Sequence, residues 1–77
     1  MSSETHNYIY GRALNPWDKT RTTGGSSGGE GGLVATNCSP VGIGTDIGGS
    51  IRTPSVFCGI VGFKATHTRL PAKSNTR

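Results

Sequence analysis

Acidic residues are scarce in this sequence, and so are apolar ones. Its 77 residues include 4 Asp and Glu against 8 Lys and Arg, for a net charge of +4, and only 31% are hydrophobic. Chains of this size bury only about 60% of their unfolded surface, so a self-sufficient core is not expected. A fragment of a larger domain is a live reading from the outset. No apolar run approaches the ~18 residues of a membrane span, and the N-terminus has no apolar stretch of the signal-peptide kind. An intracellular location is therefore favoured. There is no CxxC pair, so Cys38 and Cys58 are expected as free or buried thiols rather than as a zinc site. No metal and no cofactor is expected. The triplet Asn37-Cys38-Ser39 fits a glycosylation acceptor, which means little without a secretory signal. The basic residues Arg12, Lys19, Arg21, Lys64, Arg69, Lys73 and Arg77 are scattered, with no run of three and no interleaved aromatics. They read as solvated charge, not as a nucleic-acid interface.

Glycine, by contrast, is abundant: 13 residues, six of them in the nine-residue stretch Gly24–Gly32, "GGSSGGEGG". A second cluster, "DIGGSIR", places Ser50 behind Gly48 and Gly49, 24 residues after Ser26. Glycine in an element costs roughly 1 kcal/mol relative to alanine, so both clusters point to close backbone approach or to bends that other residues resist. Residues 1–23 read as an irregular loop that lies on something else, with "NPW" at Asn15–Trp17 as a turn. Ser27 and Glu30 have the spacing of a capping box ahead of "LVA" and predict a helix over 28–37. "PVGIGT", 40–45, and "IVGFKA", 60–65, read as strands. Thr53 and Pro54 read as the N-cap and first residue of a short helix that Gly59 ends. Helix, strand, helix, strand over 24–66 predicts an α/β layer with a parallel sheet, to which two strands alone are insufficient. The polar tail, 67–77, is expected to be exposed or disordered.

Phosphate-binding motifs fail. Gly24 and Gly29 have P-loop spacing, but Glu30 stands where the lysine belongs. "GIGTDIG" is one residue too long for the dinucleotide fingerprint. "GGSSG", Gly24–Gly28, matches the hydrolase elbow G-x-S-x-G with Ser26 at its centre, and Ser26, Asp46 and His67 follow the chain order of a Ser–Asp–His triad. No apolar strand precedes that elbow, and Asp46 and His67 read equally as a loop carboxylate and an exposed tail histidine. A different site arises when the two serine loops act together. Ser50 would be the nucleophile, and the N–H groups of Ile47, Gly48, Gly49 and Ser50 would form an oxyanion hole. The base must come from elsewhere, with the hydroxyls of "GGSS" relaying a proton. Two ordinary Gly/Ser turns remain the plain alternative.

"GGSSGGEGGLVA" followed by "PVGIGTDIGGSIRTPSVFCGIVGFKAT" resembles the signature of the amidase signature family. The match covers about residues 15–69 and involves two separate motifs. The wording "SIRTPSVFCGIVGFKAT" is most similar to the fatty acid amide hydrolase branch. The resemblance implies an α/β fold with a mixed sheet flanked by helices, here incomplete on both sides. It also implies hydrolysis of non-peptide amides by a Ser–Ser–Lys triad, with fatty acyl amides as the substrate class of the branch. Ser50 would be the nucleophile and Ser26 the bridging serine, after a cis peptide at Gly25. Ser27 would support the site by hydrogen bonding, and Asp46 and Arg52 would brace the loop. The resemblance leaves membrane association open.

One departure matters. The family's catalytic lysine lies many tens of residues before the bridging serine, whereas Lys19 is seven residues upstream, and Lys64 and Lys73 lie downstream. The chain is therefore expected to be inactive alone. A non-catalytic remnant that acts by binding, and the Ser26–Asp46–His67 hydrolase, are the alternatives.

Overall fold

The computed structural model describes residues 2–70. Residues 71–77 of the expected tail, Lys73 and Arg77 among them, lie outside the described residues; His67–Leu70 are exposed. Two short strands, β1 (His6–Asn7) and β2 (Gly11–Arg12), precede two helices, α1 (Gly28–Ala35) and α2 (Arg52–Cys58). The strands pair antiparallel, with His6 opposite Arg12 and Asn7 opposite Gly11. The turn between them follows from its end residues. The Asn7 side-chain oxygen accepts from the N–H groups of Ile9 and Tyr10 at 2.9 and 2.8 Å, and Gly11 supplies a φ of +76°. The segment expected to be irregular thus contains a hairpin. A further antiparallel bridge joins Leu14 to Thr22.

"NPW" is the fastening between this segment and α2. Asn15 is buried. Its side-chain N–H group donates to the Phe57 carbonyl at 2.8 Å, and the Trp17 indole N–H donates to the Cys58 carbonyl at 2.7 Å. The last carbonyls of a helix have no partner within it, so two side chains more than forty positions away complete the C-terminal end of α2. The chain is turned there by Gly59, at φ +69°. Ile60 N–H then reaches the Ser55 carbonyl and Gly59 N–H the Val56 carbonyl, a Schellman arrangement. Helix α1 ends the same way at Asn37, φ +58°, with Cys38 N–H on Leu33 and Asn37 N–H on Val34; it is two residues shorter than expected.

Both expected helix starts differ in detail. Ser27 is the N-cap of α1 but makes no side-chain capping bond, because its hydroxyl is engaged with the Thr45 backbone. Helix α2 begins at Arg52, ahead of the expected Thr53–Pro54 start, because the Asp46 carboxylate accepts the N–H groups of Ile51 and Arg52 and serves as an external cap. Pro54 falls within the first turn, where a missing N–H is harmless.

The two helices pack where a side chain is smallest. A Cβ on Gly31 would stand 3.2 Å from Pro54 Cβ and 3.6 Å from Cys58 Sγ. Ala35, Thr23, Pro54, Ser55 and Cys58 are the buried centre, and burial pushes the Cys58 thiol pKa up. The two segments expected as strands, 40–45 and 60–65, pair with no strand among the described residues. They line one apolar groove with Val34, Ile51 and Leu70, and Val41, Ile43, Val61 and Phe63 are exposed. The described residues thus hold two helices and a two-stranded antiparallel sheet, and the parallel sheet expected over 24–66 is not among them.

Candidate active site

Ser26 sits on the turn into α1. The preceding peptide, Gly25–Ser26, is cis, as the resemblance implied. Ser26 is exposed and Ser50 half-buried. The two loops meet through backbone: Ser27 N–H donates to the Ser50 carbonyl at 3.1 Å. The Ser27 hydroxyl lies between the Thr45 N–H and carbonyl, at 3.3 and 3.4 Å. Ser27 therefore joins the first glycine loop to both ends of the second. Close approach is possible because residue 44 is glycine; a Cβ there would stand 2.7 Å from the Ser27 hydroxyl and 3.0 Å from Ile51 Cγ1.

Asp46 organises the loop that carries Ser50. Its side chain is 1% exposed and pairs with both ends of the Arg52 guanidinium, each at 3.0 Å. It also accepts N–H groups from Gly49 (2.7 Å), Ile51 (3.1 Å) and Arg52 (3.2 Å). The guanidinium is the largest influence holding the carboxyl well below the usual carboxylate range. Burial opposes it, and the three backbone donors add to it. One expected oxyanion donor is thereby redirected. The Gly49 N–H is spent on Asp46, at a φ of +132° that suits glycine alone. The N–H groups of Ile47, Gly48 and Ser50 donate to no group among the described residues, and space beside Gly48 is open.

No hydrogen bond among the described residues links Ser26, Asp46 and His67. Both Asp46 oxygens face Arg52 and the loop N–H groups, and His67 is exposed. Lys19 and Lys64 are exposed as well. Among the described residues no cluster of His, Cys, Asp and Glu is arranged to hold a metal ion.

The residue that sequence reasoning missed is Thr5. Its hydroxyl lies 3.1 Å from the Gly24 carbonyl and 3.1 Å from the Ser26 carbonyl, and accepts the Gly28 N–H at 2.8 Å. Nothing local in "SETHN" marks it, because every partner is some twenty positions away.

Comparison with known proteins identifies the family. The Amidase family model matches residues 1–76. Fatty-acid amide hydrolase 1 of Sus scrofa is 55% identical over 70 residues, covering 91% of this chain. A glutamyl-tRNA(Gln) amidotransferase subunit from Methanococcoides burtonii is 49% identical over 67 residues, covering 87% of the chain, and its counterpart from Deinococcus radiodurans is 50% identical over 70 residues, covering 91%. The chain spans only 12% of the length of the first of these relatives and 14% of the other two.

Proposed function

The chain belongs to the amidase signature family, and from that premise we propose that it carries the nucleophile half of an amide-hydrolysing site. The observation that supports this most directly is the Ser27 N–H to Ser50 carbonyl bond, which seats the Ser26 turn against the Ser50 loop. In this reading a neutral lysine, supplied by a segment these 77 residues do not contain, takes the Ser50 proton through Ser26. The Ser50 hydroxyl oxygen bonds to the amide carbonyl carbon. The N–H groups of Ile47, Gly48 and Ser50 receive the oxyanion, while Gly49 stays with Asp46. The proton returns through Ser26 to the nitrogen as the carbon–nitrogen bond breaks, and water then cleaves the acyl ester. Protonating the amine makes the amide cleavable, so the relay matters as much as the nucleophile. Fatty acyl amides are the proposed substrate class, on the likeness of "SIRTPSVFCGIVGFKAT" to that branch and the 55% identity to the pig enzyme.

The test is a fluorophosphonate serine probe, applied to the chain alone and to a hybrid in which the matched residues of fatty-acid amide hydrolase 1 are replaced by those of this chain. The chain alone is expected to remain unlabelled. The hybrid is expected to label and to hydrolyse amides, to lose both with Ser50→Ala, and to keep both with His67→Ala. Loss with His67→Ala and retention with Ser50→Ala would overturn the reading.

A further inference from the structure

We infer that Thr5 is a positioning residue for the proposed relay serine, Ser26, an inference that rests on the amide-hydrolase reading. The turn Gly24–Gly28 is held on two sides. On one, Ser27 N–H is bound to the Ser50 carbonyl. On the other, the Thr5 hydroxyl receives the Gly28 N–H and faces the carbonyls of Gly24 and Ser26. A hydroxyl has one proton to donate and lone pairs to accept with, so the Thr5 proton is shared between those two carbonyls while its oxygen satisfies Gly28. That N–H is one of the donors a helix leaves unpaired in its first turn. Here a residue 23 positions earlier satisfies it.

The contact is tight along the backbone as well. A Cβ on Gly25 would stand 2.7 Å from the Glu4 carbonyl carbon and oxygen, and a Cβ on Gly28 would collide with the hydroxyls of Thr5 and Thr23. The strap Glu4–Thr5 thus lies on the turn with no room for a side chain between them. It is anchored in turn by the hairpin: Ala13 N–H donates to the Thr5 carbonyl at 2.8 Å, and Arg12 pairs with Glu4 at 2.8 Å. The exposed ion pair contributes little to stability by itself; the backbone bond and the fit over Gly25 fix the strap. With the Gly24 and Ser26 carbonyls and the Gly28 N–H held by one hydroxyl, the orientation of the Ser26 turn depends on Thr5. Misplacing a reacting or relaying group by about 1 Å costs on the order of a hundredfold in rate.

Thr5→Val keeps the shape and removes the hydroxyl; Thr5→Ser keeps the hydroxyl. In the 77-residue chain, amide exchange at Gly28 is expected to accelerate in Thr5→Val and to match the parent in Thr5→Ser. In the hybrid, Thr5→Val is expected to lower kcat about tenfold to a hundredfold with KM within about twofold, and Thr5→Ser to restore it. Unchanged kcat and unchanged Gly28 protection in Thr5→Val would overturn the inference, as would a Thr5→Ser variant impaired as much as Thr5→Val. If the isolated chain protects no amide, the kcat comparison decides alone. A parent hybrid without Ser50-dependent labelling refutes the hydrolase reading instead, and Gly28 exchange still decides whether Thr5 holds the turn.

Discussion

The Ser27 N–H and the Ser50 carbonyl are hydrogen-bonded at 3.1 Å across 23 positions of sequence. This bond links the two glycine-rich loops, and it explains where the glycines are needed. Ser27 can reach Ser50 and Thr45 together only because the intervening segment passes close to it at Gly44. Backbone carries this approach, and neither the Ser26 nor the Ser50 side chain takes part in the bond.

Gly44→Ala tests that closeness. Its Cβ would meet Ser27 Oγ at 2.7 Å and Ile51 Cγ1 at 3.0 Å, so Ser27 or Ile51 must move. Overpacking of this kind costs typically about 1–3 kcal/mol. The expected result is a lower urea midpoint for the chain and about tenfold slower probe labelling of Ser50 in the hybrid. Gly48→Ala is the control: nothing lies within 4 Å of its Cβ position, and the midpoint should hardly change. Equal destabilisation by both would show that crowding at Ser27 is not the cause.

Asp46 predicts an acid dependence. Its folded-state pKa lies below the ordinary value of about 3.9. The ionised group therefore stabilises the fold above that ordinary value, and its contribution is lost as pH falls through the folded-state pKa. The urea midpoint of the parent chain should decline progressively below about pH 4. Asp46→Asn should be less stable at pH 7 and decline less steeply in acid, because it has no such charge to lose. Parallel profiles for the two proteins would remove Asp46 as the origin. In the hybrid, Asp46→Asn should slow labelling of Ser50, because one of the two oxygens that accept from Gly49, Ile51 and Arg52 becomes an NH2 donor and the charge facing the guanidinium is lost.

Much of this arrangement is legible in the sequence, and the remainder has physical reasons for being hidden. The helix ends at Asn37 and Gly59 depend on residues that tolerate positive φ, a local property. The helix starts are less readable. Ser27 has a capping-box partner at Glu30, but its hydroxyl finds Thr45 instead, and Asp46 caps α2 from six positions before Arg52. The hairpin at Asn7–Gly11 had a signal, an asparagine and a glycine bounding a tight turn, that the polar surroundings obscured. The roles of Thr5, Asn15 and Trp17 had none, since each acts on a backbone group brought near only by the fold. The segments 40–45 and 60–65 have strand-like apolar patterns and no strand partners among the described residues. A strand exists through its neighbours, and sequence pattern alone does not supply them.

Helix α1 offers a paired test of the contact between the helices, because its glycines differ in surroundings. Gly29 has nothing within 4 Å of its Cβ position, whereas Gly31 faces Pro54 Cβ at 3.2 Å and Cys58 Sγ at 3.6 Å. Gly29→Ala removes backbone freedom from the unfolded chain and adds a good helix former, so it should stabilise by about 0.5–1 kcal/mol. Gly31→Ala gains the same propensity but presses on Pro54, and the two effects should nearly cancel. Gly31→Val adds branching that the contact has no room for and should destabilise by about 1–3 kcal/mol. Urea denaturation of the three variants, followed by circular dichroism, gives the ranking Gly29→Ala, then Gly31→Ala, then Gly31→Val. If the two alanine variants gained equally and valine was tolerated, α1 and α2 would not meet at Gly31, and the seating of both serine loops on that helix pair would need another support.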